Sequence, residues 1–200
     1  MQAIGMLPSQ ELGFYQRFGK RGVDLFLVCL TLPLWMPLTA VLWLIAMIEA
    51  GQGSYTDVRV GHGGRTFRCL KIRTMRRGLR RGCAARKPRD DLRVTPFGCF
   101  LRRTSLDELP QLICVLKGEM SLVGPRPVPA SELRRYGVQA PRYLALRPGL
   151  TGLWQISGRN ALSYRARVAL DVRYAHEMSF VGDLAILLAT TREVWRMSGR

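Results

Sequence analysis

The segment VDLFLVCLTLPLWMPLTAVLWLIAMI, residues 23–48, constrains the fold more than any other part of the chain, because Asp24 is its only charge. As one straight helix it would reach about 39 Å. A bilayer's hydrocarbon core is roughly 30 Å thick, so a transmembrane helix is the simplest expectation. The segment is too long for a signal-peptide core. Two features oppose a simple span. Pro33 and Pro37 sit mid-segment, where each removes an amide donor and crowds the preceding turn. They divide the segment into arms of roughly 15–20 Å, neither long enough to cross alone. Both flanks are also basic. Arg17, Lys20 and Arg21 precede the segment and a cationic chain follows, which asks both ends to stay cytoplasmic. A re-entrant helix-break-helix that enters one leaflet and returns meets both constraints, with Thr31 or Thr39 offering hydroxyls to the broken backbone. This reading stands ahead of a kinked span, and a buried core helix pair comes third.

The rest of the chain is more polar and strongly basic. Thirty-one Lys and Arg stand against 14 Asp and Glu, for a net charge of +17, and 27 of the basic residues are Arg. Such a balance implies an anionic partner: nucleic acid, acidic headgroups or phosphorylated substrates. The planar Arg fork suits phosphate oxygens better than an ammonium does. Solubility and positive-inside topology account for many of these arginines. The cysteines, at 29, 69, 83, 99 and 114, show neither a C-x-x-C pair nor zinc spacing, and His62 and His176 are isolated. Reduced thiols in a cytosolic setting are expected.

The coarse organisation is α-rich α+β: a membrane hairpin plus a small cytosolic domain with several short helices and a small β-hairpin. Residues 1–50 form the amphipathic lead-in and membrane helix, and 51–200 the cytosolic domain. Residues 1–12 read as a loose start and FYQRFGKR (14–21) as an amphipathic approach to the membrane. VRVGHGGRTFRCLKI predicts a hairpin around a Gly-rich turn. Residues 76–93 lack apolar periodicity and read as a mobile loop. Helical patches follow at 97–103 and 107–117, then an extended SLVGPRPVP. Ser131 would cap a helix through Tyr136. A Gly-rich loop covers 146–160. Ser163 would cap a helix through Met178, and Asp183 one reaching about Met197. In that last helix Leu184, Leu187, Leu188, Thr191 and Trp195 share a face suited to packing on the core or, less commonly, lying on a membrane.

Within RRTSLDELPQL (102–112) two acids adjoin in a basic chain, Asp107 and Glu108. Ser105-x-x-Glu108 fits a capping box. With Ser105 as cap, however, Pro110 would fall at a helical position whose amide is needed. The alternative is chemical. One carboxylate can hold Mg²⁺ together with substrate phosphates, while another attacks phosphorus and nearby arginines neutralise phosphate oxygens.

RRTSLDELPQLICVLKGEMSLVGPRPVP, RPGLTGLWQISGRN, LDVRYAHEMSFVGDLAILLAT and the earlier KIRTM, in that order, closely resemble the bacterial sugar transferases of the monotopic phosphoglycosyl transferase family. The likeness runs from about Lys20 to Trp195, and the chain looks like the minimal form without an extra N-terminal transmembrane bundle. The resemblance implies transfer of a sugar-1-phosphate from a UDP-sugar to polyprenyl (undecaprenyl) phosphate, with release of UMP, at the cytoplasmic face of the bacterial inner membrane. It makes Asp107 the nucleophile, through a covalent phosphosugar-aspartate, and Glu108 the Mg²⁺ ligand. Lys71, Arg126, Arg159 and Asp183 fall on matching positions for phosphate, nucleotide or other site roles. Arg73, Arg147 and Asp171 lie in matching motifs, with salt-bridge roles equally open. The family's re-entrant helix breaks at a proline, here Pro33. Leu32 stands where many members have Ser, and Cys114 where Asn is common. UDP-sugar, polyprenyl phosphate and membrane lipid are thus the implied partners, nucleic acid is not, and a homodimer is left open. Two alternatives remain: a membrane-tethered nucleic-acid binder built on the Arg-rich run 73–103, whose aromatic interleaving is irregular, and an inactive scaffold of glycan assembly, against which the intact acid pair argues.

Overall fold

The structure is a computed structural model and describes residues 14–76 and 93–195. A π-helical turn, Tyr15–Gly19, leads into α1 (Lys20–Ala50), which closes at Gly51 in left-handed conformation, φ 74°. The lead-in before residue 14 lies outside the described residues. Helical conformation in α1 runs through both Pro33 and Pro37. Prolines at these positions leave the Cys29 and Pro33 carbonyls without amide donors. Side chains bond the carbonyls around them. Thr31 donates to Leu27 O (2.7 Å), Thr39 to Trp35 O (2.6 Å), and the Trp35 indole reaches back to Val28 O (3.1 Å). The hydroxyls expected to serve the broken backbone instead bond Leu27 O and Trp35 O one turn back, and not the Cys29 and Pro33 carbonyls that the prolines free.

Both ends of α1 rest on the same body. Near its start Arg21 donates to Val115 O and Leu116 O (2.6 and 3.0 Å), and Asp24 accepts from Leu122 N–H (3.1 Å). Near its end Leu42 and Ala46 pack with Ile72 and Leu101, and Glu49 accepts from Phe97 N–H (3.3 Å). Between these anchors Leu30, Leu34, Met36 and Val41 are exposed, as is Ile48 beyond them. A contiguous apolar face of this kind marks a membrane or partner surface.

The hairpin forms as predicted. β1 (Ser54–Val60) pairs antiparallel with β2 (Thr66–Ile72) around the turn His62–Gly64. Beyond it Met75 bridges Val94 and Arg76 N–H donates to Arg93 O. The positions between, 77–92, read above as part of a mobile loop, lie outside the described residues. α2 (Pro96–Thr104) is capped by Thr95, whose hydroxyl accepts from Gly98 N–H. α3 (Gln111–Lys117) starts after Pro110, so the helix predicted over 107–117 begins four residues late and excludes the acid pair. β3 (Ser121–Val123) pairs in parallel with β4 (Gly149–Thr151), a strand inside the stretch read as loop. Residues between them form α4 (Ala130–Leu133) and α5 (Ala140–Leu144). Pro129, not Ser131, occupies the cap position of α4. α6 (Leu153–Ile156) follows, then α7 (Tyr164–Glu177), capped by Ser163 as predicted, and α8 (Phe180–Trp195).

The core is continuous with α1. Val28 and Trp35 pack with Phe67 and Cys69 of β2, Val115 of α3, Val123 of β3, Tyr174 of α7 and Ile186 of α8. A second cluster joins Val60, Val128, Tyr136, Tyr143 and Val168. Asp183 is not a cap. It sits one turn inside α8, where its Oδ2 accepts from Tyr15 OH and Lys20 Nζ (both 2.6 Å) and its Oδ1 from Tyr174 OH (2.8 Å). The core side of α8 is thus Asp183 and Ile186, and the outer face bears Val181, Leu184, Leu188 and Trp195. The face drawn from the sequence, which joined Leu187 to Leu184 and Leu188, straddles the two. Leu187 packs on the core because the buried carboxylate turns α8 inward at Asp183.

Asp171 of α7 is also buried. Its Oδ2 accepts from Tyr136 OH at 2.7 Å and its Oδ1 has no partner among the described residues. Burial pushes this carboxyl up to about 7, against the opposing pull of the Tyr136 bond. The folded state therefore holds a proton that the unfolded chain releases near pH 4, and stability falls as pH rises through that window. A shift of this size corresponds to about 4 kcal/mol. Asp171→Asn keeps an acceptor for Tyr136 and removes the charge. Thermal unfolding in detergent should show Asp171→Asn more stable than the parent at pH 8, by roughly 5–10 °C, with the gap narrowing toward pH 5. Breaking the other buried cluster acts in the opposite sense. Asp183→Asn strips Lys20 of its counter-charge and should cost about 3 kcal/mol, read as a lower unfolding midpoint. Tyr174→Phe, which removes one hydroxyl, should cost about 1 kcal/mol.

Candidate active site

Three pieces of chain converge on the acid pair. The first is the connection between α2 and α3. Ser105 closes α2 in left-handed conformation (φ 59°), and Leu106–Glu108 follow as one 3₁₀ turn. No capping box forms, because Ser105 makes no side-chain bond to this turn. Pro110 then opens α3, which resolves the conflict seen in the sequence. The second piece is β2, whose alternation buries Ile72 and sends Lys71 the other way, to Glu108 Oε1 at 2.5 Å. Its extension is fixed by Arg102, whose Nε donates to Thr74 Oγ1 at 2.8 Å. The third piece is the Gly124–Val128 loop. Here β3 and β4 approach so closely that a Cβ on Gly149 would lie 2.1 Å from Gly124 N. Gly124 N–H donates to Thr151 O and Gly149 N–H to Pro125 O. The loop emerges with Arg126 directed at Glu108 Oε1, 3.3 Å away.

The electrostatics divide the two acids. Burial would raise the Glu108 carboxyl, but Arg126 and Lys71 outweigh it and hold the group ionised, well below the ordinary glutamate range. Asp107 is buried too, and burial together with the Glu108 charge pushes its carboxyl up, while Lys71, Arg102 and Arg126 pull it back. Adjacent acids thus carry different proton affinities, as two groups with separate tasks require.

Lys71, Glu108 and Arg126 line a narrow cleft with Arg59, Cys69 and Gln111. Pro127 and Leu150 give it an apolar wall. Burial raises the Cys69 thiol to about 11, so it is neutral at physiological pH. Of the residues singled out in the sequence, Asp107, Glu108, Lys71 and Arg126 come together. Asp183 does not. It holds the lead-in to α7 and α8. Arg159, at φ 47° in the turn Arg159–Ala161, donates to Gln155 O (2.9 Å) and lies 3.8 Å from Glu193 Oε2. No hydrogen bond or ion pair among the described residues joins it to the cleft. Arg73 donates to Ser54 O, Arg147 to Gly118 O, and Asp171 is bonded to Tyr136, all away from the acid pair. Arg59 and Gln111 were missed. Strand alternation places Arg59 on the face of Cys69 and Lys71 once the register is known, since Asp57 pairs with Cys69 and Tyr55 with Lys71.

Among the described residues that line the cleft, Glu108 is the carboxylate a cation could meet. One ionised carboxylate with substrate phosphates is an ordinary donor set for Mg²⁺, so the residues fit that ion.

Residues 15–197 match the family model described as bacterial sugar transferase. The chain is 44% identical over 200 aligned positions to exopolysaccharide production protein ExoY of Sinorhizobium fredii, across 90% of this chain and 88% of that protein. It is 41% identical over 198 positions to undecaprenyl-phosphate galactose phosphotransferase of Salmonella typhimurium, across 92% of this chain but 42% of that longer protein. It is 39% identical over 180 positions to UDP-glucose:undecaprenyl-phosphate glucose-1-phosphate transferase of Caulobacter vibrioides, across 86% of this chain and 67% of that one. Matches of this extent show that the chain belongs to the bacterial sugar transferase family and is an enzyme of that family.

Proposed function

We propose that the protein transfers a sugar-1-phosphate from a UDP-sugar to a polyprenyl phosphate, the undecaprenyl carrier named for its relatives, and releases UMP. The observation that carries this reading is the convergence of Lys71 and Arg126 on Glu108 beside the buried Asp107. Such a site gathers phosphate oxygens and keeps one carboxylate next to them.

In this reading an Asp107 oxygen attacks the sugar-bearing phosphorus. The new O–P bond replaces the P–O bond to UMP, which leaves with the electron pair. An oxygen of the lipid phosphate then attacks the same phosphorus and Asp107 departs as carboxylate, giving the polyprenyl-diphospho-sugar. Both half-reactions use one site in turn, so the kinetics are ping-pong. Lys71 and Arg126 offset the charge that builds on the transferring phosphoryl oxygens. Glu108 would hold Mg²⁺, which when bound neutralises the diphosphate. Arg159 and Asp183 act in this reading as supports of the fold around the site.

The membrane reading follows the contacts of α1. Its first and last turns bond one compact body, through Asp24 and Glu49 respectively. A body on one side of a bilayer cannot hold both ends of a helix that crosses about 30 Å of hydrocarbon. This supports insertion from one side only, as the re-entrant reading requires, while α1 stays helical through Pro33 and Pro37 with Trp35 between them packed on the body. Residues 1–50 are then the membrane part and 51–200 the catalytic body, on the cytoplasmic face of the inner membrane. The outer face of α8, with Val181, Leu184, Leu188 and Trp195, together with Phe14 and Phe18, would lie at the interface.

Purified protein with Mg²⁺, UDP-sugar and undecaprenyl phosphate should release UMP, and Asp107→Asn should lower that rate at least about 1000-fold without shifting the unfolding midpoint downward. Full turnover by Asp107→Asn would remove the nucleophile from the scheme. In a background freed of native cysteines, single cysteines placed near residues 12 and 55 should both react only from the cytoplasmic side. Labelling from opposite sides would replace the re-entrant helix with a span.

A further inference from the structure

We propose that Arg59 is a third cation of the cleft and a direct ligand of the diphosphate, a role that rests on the donor reading above. Arg59 lies near the end of β1, and its side chain lines the same cleft as Lys71, Glu108 and Arg126. Two of its nitrogens are committed. Nη1 donates to Pro127 O at 2.9 Å, one residue from Arg126, and Nη2 to Asp57 Oδ2 at 2.6 Å. The third, Nε, is buried and has no hydrogen-bond partner among the described residues. A buried donor left unpaired in a native fold calls for an explanation, because such groups are almost always satisfied. Here the guanidinium is clamped at two corners, so it cannot swing to find an internal acceptor.

Its neighbours point to what completes it. Lys71 and Arg126 both spend their charge on Glu108 Oε1. Arg59 is the cation of the cleft whose carboxylate partner, Asp57, stands apart from the acid pair and is 35% exposed. An anionic oxygen entering the cleft would meet a guanidinium held at two corners, whose Nε has no protein acceptor among the described residues. The chemical class is a phosphoryl oxygen of the nucleoside diphosphate donor, which brings more negative charge than one lysine and one arginine, already paired, can offset.

A purely architectural role for Arg59 is served by other groups. Val60 N–H donates to Val128 O, Tyr143 OH donates to Val60 O, and Val128 N–H donates to Tyr143 OH. These three bonds tie β1 to the Arg126 loop without Arg59, so its replacement leaves the fold standing.

The test uses the full chain in detergent micelles with UDP as probe. Arg59→Gln should weaken UDP binding about 10-fold or more, the loss expected for one charge-assisted bond, with an unfolding midpoint within a few degrees of the parent. Arg59→Lys, which keeps charge but lacks Nε, should fall between the two. The Nε–H resonance of Arg59 in a ¹H–¹⁵N spectrum, identified by its loss in Arg59→Lys, should move on addition of UDP; a structural residue's would stay. UDP affinity unchanged in Arg59→Gln, or an unmoved resonance, overturns this assignment alone. A parent protein that does not bind UDP overturns the donor reading and this assignment with it.

Discussion

One carboxylate oxygen holds the candidate site together. Glu108 Oε1 takes Lys71 from β2 and Arg126 from the loop after β3, while Glu108 itself belongs to the turn between α2 and α3. These segments are distant in the chain and share no continuous secondary structure at that point. Removing either cation would leave a buried charge less compensated, which is costly, and removing the carboxylate would set two cations against each other. The site is therefore fixed less by any one element than by mutual charge among three. The tight glycine contact between β3 and β4 matters for the same reason: it sets the direction from which Arg126 arrives.

Much of this was legible from the residues. The Gly-rich turn and alternating flanks announced the β1–β2 hairpin, and Ser163 announced α7. Pro110 correctly argued against a helix through the acid pair, although the reading still extended a helix over 107–117. What escaped was non-local. Gly149–Thr151 is a short strand because β3 offers it a parallel partner, and a three-residue strand leaves no period to detect. Ser131 looked like a cap, but the fixed φ of Pro129 starts α4 first. Arg59 could be found only with the hairpin register in hand, since alternation places a residue on a face without saying what the face looks at.

The buried acids show how far motif likeness reaches. Asp183 lies in a stretch resembling the family as closely as the Asp107–Glu108 stretch does. Its partners are two tyrosines and a lysine, and the hydroxyl oxygen of Tyr174 also lies 3.2 Å from Val123 O. Asp183 thus joins the entry to α1 with the strand that leads to Arg126. A matching letter says that a position is used; only the partners tell whether it meets a substrate or holds the frame that does.

The same frame explains why an apolar helix and a phosphate site belong to one body. β2 carries Lys71 on the same face as Phe67 and Cys69 and turns Ile72 to the opposite face. Phe67 and Cys69 share a cluster with Val28 and Trp35 of α1, and Ile72 packs with Leu42 and Ala46 farther along the same helix. Both halves of α1 thus pack with residues of the strand that supplies a cation to Glu108. With that helix seated in a leaflet, as proposed, the strand bearing Lys71 would lie against the helix that meets the lipid. In the proposed function a polyprenyl phosphate, whose tail is confined to the hydrocarbon and whose head is confined to the interface, would then reach the acid pair without leaving the membrane. A soluble scaffold presenting the same four side chains would have to extract the lipid first, at a cost of about 0.8 kcal/mol for every methylene exposed to water.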